Sequence, residues 1–63
     1  MEPFEVHTHY ELDRLREESI IVTSPGIYYQ RIGPDDWAEP GGEELTLTGD
    51  IPLPVLVLFE PQR

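Results

Sequence analysis

The chain has no cysteine and no lysine among its 63 residues, a single tryptophan, and no long apolar run. Without cysteine, neither a disulfide nor a thiolate metal site can add stability, which argues against a disulfide-stapled extracellular mini-protein. The longest apolar stretch, Leu53 to Phe59, falls far short of the ~20 residues a bilayer-spanning helix needs. It reads as a core strand, and no membrane partner is expected. The opening segment MEPFEVHTHYELDRL carries acidic residues where an export signal would need positive charge before an apolar run, so the expected compartment is the cytoplasm.

Absence of lysine leaves four arginines against 13 Asp and Glu, a formal charge of −9. Direct binding to nucleic-acid phosphates is disfavoured by that balance. The length allows one domain, spanning residues 1–63, and a chain of this size buries only about 60% of the surface its unfolded form exposes. The core must therefore be thin.

Phe4, Val6 and Thr8 alternate with Glu5 and His7, a period-two extended segment. Thr8-His9-Tyr10-Glu11 matches a capping box and starts a short helix from His9 to about Arg16, with Leu12 and Leu15 facing the sheet. Ser19–Ser24 and Ile27–Ile32 are rich in β-branched and aromatic residues and read as a hairpin. Its link suggests a type II turn with Pro25 and Gly26 at the central positions. Registered about that pair, Ile20, Val22 and Tyr29 share one face, while Ile21, Tyr28 and Ile32 share the other. Both faces are part apolar, so both are expected to be partly covered. Gly33-Pro34-Asp35-Asp36 forms a second turn, Trp37 begins a return strand, Pro40-Gly41-Gly42 breaks it, and Leu45 and Leu47 mark a further brief strand. Val55–Phe59, apolar throughout, suggests a central strand covered on both sides.

Few residue sets suggest chemistry. His7 and His9 flank Thr8, but helix initiation would splay them, and no further ligands are specified, so no metal and no cofactor is expected. The adjacent pairs Glu17-Glu18, Asp35-Asp36 and Glu43-Glu44 sit beside turn residues and read as solvated charge rather than a facing acid/base pair. No serine or threonine has a base arranged beside it, and no Gly-rich phosphate loop precedes a helix. The chain is not expected to be an enzyme. Tyr28, Tyr29 and Trp37 are first of all core candidates. One of them, Tyr28 or Trp37, could instead anchor a protein-binding face ringed by Asp35, Asp36 and Glu39, which would select a partner with a basic surface.

The order Glu11-Leu12-Asp13-Arg14-Leu15, Ser19-Ile20-Ile21-Val22, Tyr28-Tyr29-Gln30-Arg31, Trp37, Gly41-Gly42 and Val55-Leu56-Val57-Leu58 resembles a group of short, mostly uncharacterised proteins of actinobacterial phages and their hosts. The resemblance covers most of Glu11 to Pro61. The chain departs from the pattern in Pro25-Gly26, where an Asp-Gly turn is usual, and in Pro34-Asp35-Asp36 before the tryptophan. What the resemblance implies is a phage or prophage accessory protein acting in the host cytoplasm, with no catalytic residues to carry over.

The expected architecture is α+β: a short N-terminal helix packed on a small twisted antiparallel sheet of three to five strands. Leu12, Leu15, Ile20, Val22, Tyr29, Leu56 and Leu58 are the expected core. The expected function is non-enzymatic binding that modulates a host or phage protein. The alternatives are a nucleic-acid mimic occupying a DNA-binding protein and a homo-oligomeric module built on a strand edge. One physical prediction follows from charge alone. Because a single-signed field repels itself and salt screens it, the thermal midpoint should rise between low and moderate ionic strength; a flat or falling salt titration would contradict this.

Overall fold

The computed structural model describes residues 2–24 and 26–61. Its strands are β1 (Phe4–Val6), β2 (Ile20–Thr23), β3 (Tyr28–Arg31), β4 (Asp36–Ala38), β5 (Leu45–Leu47) and β6 (Val55–Phe59). One short helix, α1 (His9–Asp13), and one 3-10 turn, Thr48–Asp50, complete the set. All six strands form one antiparallel sheet in the order β1-β6-β2-β3-β4-β5. The fold is thus mostly β, with more strands than the three to five expected and a smaller helix.

The helix begins as its sequence dictates. Thr8 Oγ1 accepts the Glu11 N–H at 3.1 Å and donates to Glu11 Oε1 at 3.1 Å, so the two capping residues lock each other. Helical hydrogen bonding stops early, with the Arg14 and Leu15 N–H groups closing tighter turns onto Glu11 O and Leu12 O. Leu12 and Leu15 nevertheless both reach the core.

The β2–β3 connection decides which residues lie inside. The Thr23 N–H donates to Ile27 O, the Gly26 N–H donates to Thr23 O, and Gly26 has φ +117°. Three residues, 24 to 26, therefore sit in the loop, with glycine at the left-handed position, where a two-residue turn centred on Pro25-Gly26 would be one shorter. Pro25 itself, and with it the type II reading, lies outside the described residues. The extra loop residue shifts the register by one: Ile21 faces Tyr29 and Val22 faces Tyr28. A one-residue slip moves every side chain to the opposite face. Ile20 and Val22 accordingly leave the predicted core, and Ile21 takes their place. The same alternation turns Leu56 and Leu58 outward and Val55 and Val57 inward. Of the expected core, Leu12, Leu15 and Tyr29 stand; the rest consists of Val6, Ile21, Trp37, Ile51, Val55 and Val57. A Pro-Gly pair does make a tight turn elsewhere, at Pro40-Gly41, where Gly41 has φ +78° and the Gly42 N–H donates to Glu39 O at 2.8 Å.

β6 is an interior strand, pairing β1 on one side and β2 on the other, with an irregularity opposite Ile20 and Ile21. Its buried face, with Val55 and Val57, is covered by α1 and the 48–54 segment that returns over the sheet. That return is tied down at two points. Trp37 Nε1 donates to Thr48 Oγ1 at 2.9 Å, and His9 Nε2 donates to Ile51 O at 2.8 Å.

Arg31 is the polar centre of the packed side, 4% exposed. Its Nε donates to Gly33 O at 3.0 Å, and Nη1 donates to Asp13 O and Leu15 O, each at 2.7 Å. Nη2 donates to Asp13 Oδ1 at 3.1 Å and to Pro34 O. The guanidinium carbon also lies 5.6 Å from the centroid of the Trp37 ring, its cross-strand neighbour. All five N–H donors are thereby used, two of them on carbonyls that the end of α1 leaves free.

Two outcomes are expected. Ile21→Ala should cost about 2–4 kcal/mol and Val22→Thr under about 1, measured by urea unfolding; equal costs would contradict the register. Arg31→Lys should lose about 3 kcal/mol, because a three-donor ammonium reproduces neither the five-bond fork nor the stacking on Trp37. An unchanged urea midpoint would remove Arg31 from this role.

Candidate protein-docking face

Residues opposite one another in an antiparallel ladder share a face. The registers therefore define a second face, opposite the core. Ile20, Val22, Tyr28 and Gln30 contribute to it from β2 and β3, Leu56 and Leu58 from β6, Asp36 and Ala38 from β4, and Leu45 and Leu47 from β5. No described segment packs over it. Tyr28 is 51% exposed, Leu45 54% and Leu47 50%, while Ile20, Val22, Leu56 and Leu58 are half-buried. An apolar surface running across five neighbouring strands, β6, β2, β3, β4 and β5, makes this face the candidate contact surface.

The five residues singled out from the sequence separate in space. Tyr28 stands exposed on the open face, opposite Val22. Asp36 lies on the same face, half-buried and opposite Leu47. Trp37 corrects the expectation of an exposed anchor: it points the other way, is 0% exposed, and spends its N–H on Thr48. Asp35 is also occupied structurally, its backbone carbonyl and Oδ1 both accepting the Thr48 N–H at 3.2 and 3.3 Å. Glu39 is exposed just beyond β4. Asp35 and Asp36 thus diverge, as neighbouring carboxylates in a turn commonly do.

Sequence reasoning placed Ile20, Val22, Leu56 and Leu58 inside and gave Leu45 and Leu47 no partner. The available signal was quantitative: the apolar residues of β2, β3 and β6 fill both faces of the strands, whereas the helical segment and the turn after it offer only Leu12 and Leu15 as cover. A helix that small can close one face and not two.

At one end of the open face, Glu17, Glu18, Gln30, Arg31 and Ile32 line a cleft of about 450 Å³. Glu18 is held there at φ +74°, its N–H donating to Arg31 O at 2.7 Å. Non-glycine residues adopt this conformation at a cost of roughly 1 kcal/mol. Both carboxylates are exposed. Among the described residues no group of three or more His, Asp or Glu could hold a metal ion, and His9 is engaged by Ile51. No helix of the described residues is long and apolar enough to cross a membrane.

Comparison of the chain with protein-family models, characterised proteins and solved structures finds no match.

Proposed function

We propose that this protein is a small acidic accessory protein that works by attaching to another protein and modulating it, with the open sheet face as its contact surface. The carrying observation is the division of apolar residues. One set, around Ile21, Trp37 and Val57, closes a core, and a second set, part-exposed to exposed, lies on the reverse of the same sheet. Tyr28, Leu45 and Leu47 stay about half exposed in the free protein, and contact with a partner accounts for their lying together on one surface. Tyr28 supplies the rigid aromatic anchor, and the surrounding carboxylates steer the encounter. The resemblance to phage and prophage proteins directs the search for the partner to host or phage proteins.

The test compares the protein with its Tyr28→Ala/Leu47→Ser variant, both immobilised and exposed to an actinobacterial lysate with washes at low and then moderate salt. A protein retained at moderate salt should be lost from the variant, with affinity reduced by about tenfold or more. If both forms retain the same proteins, or only DNA-binding proteins that elute as salt rises, the reading is wrong.

A further inference from the structure

The charge pattern around the open face says what kind of surface it meets. Its charged strand positions are Glu5 and Asp36, both acidic. The margins continue the same sign, with Glu17 and Glu18 in the cleft that shares Gln30 with the face, and Glu39, Glu43 and Glu44 in the β4–β5 connection. The described arginines add no free cation to the face. Arg31 borders the cleft but spends all five donors within the core, Arg14 caps the end of α1 with its guanidinium carbon 5.7 Å from the Tyr10 ring centroid, and Arg16 follows α1, where its backbone N–H donates to Glu60. Arg63 lies outside the described residues. No strand position on the open face carries a cation.

Resting on the docking reading above, we infer that the occupant of this face is a different protein whose contact surface is apolar at its centre and carries Lys or Arg at its margin, and not a second copy of this chain. Stacking two copies face to face would bring Glu5, Asp36 and the marginal carboxylates of one against those of the other with no arginine between them. Two bodies of charge −9 would also repel before contact. A basic margin reverses both terms. The cleft supplies what such a residue needs, the apolar side chain of Ile32, 49% exposed, for a Lys or Arg stem and the exposed Glu17 and Glu18 for its charged head. Apolar contact over Val22, Tyr28, Leu47 and Leu56 then supplies affinity, and the carboxylates supply choice of partner.

The experiment has two parts. Sedimentation equilibrium at low and moderate salt should return the monomer mass of 7.3 kDa. The isotope-labelled protein is then titrated with two synthetic peptides, one alternating Leu and Lys, the other Leu and Glu, and followed by amide NMR. The Leu/Lys peptide should shift the amides of Val22, Tyr28, Leu47 and Leu56, and the Leu/Glu peptide should not. Leu47→Glu should weaken Leu/Lys binding by about tenfold although it adds a carboxylate; unchanged or tighter binding would mean that charge alone attracts the peptide, and would overturn the inference. A dimer that buries these four residues, or equal binding of both peptides at the face, would overturn the basic partner while leaving the face as a docking surface. A monomer whose face responds to neither peptide would overturn the docking reading itself.

Discussion

The structure depends on one buried guanidinium. Arg31 joins three segments through one side chain: its own strand, the Gly33–Pro34 turn, and the end of α1. Most of its acceptors are neutral carbonyls, and the one formal counter-charge, Asp13, keeps 62% of its side chain exposed. An ion pair of that kind adds little as Coulomb attraction. What the guanidinium provides is a rigid planar fork that fixes where a helix of only five residues sits over the sheet. Trp37 lies under the same fork and carries the geometry on to Thr48, which anchors the segment returning across the core.

Much of the architecture could be read from residue order, and the reasons are local. Thr8 and Glu11 announce the helix start, and β-branched and aromatic runs announce β2, β3 and β6. Gly33-Pro34 and Pro40-Gly41 punctuate the chain where turns occur. The faces of the sheet could not be read the same way. They hang on whether the β2–β3 loop holds two or three residues, and Pro25-Gly26 is compatible with either. The aromatic residues suffered from the same ambiguity: Tyr28, Tyr29 and Trp37 are all large enough to fill a thin core, and only cross-strand register makes the first exposed and the others buried. Arg31 gave no sign of its importance, because its acceptors are backbone carbonyls brought together by the fold.

A sheet closed on one side and open on the other divides its apolar residues by what they do for the fold. Ile21 and Val57 are buried in the core, whereas Leu45 and Leu47 are about half exposed on the reverse face. On the docking proposal, substitutions at the first pair act on folding and at the second on partner contact. The acidic field would then bear on both, working against compactness in the free protein and against contact between the open faces of different copies.

The placement of β6 has a consequence for how the chain comes together. β1 and β2 are separated in the sheet by a strand whose residues follow all the others in sequence, and β1 pairs with nothing else. The β2–β5 meander can zip up from neighbouring hairpins, but β1 stays unpaired and the core lacks Val55 and Val57 until β6 inserts between strands that precede it in sequence. Closure of the core is thus a single late, long-range event with a large loop-closure entropy. Until it happens, the nascent chain exposes greasy surface on both sides of the sheet and has only its charge to keep it from sticking.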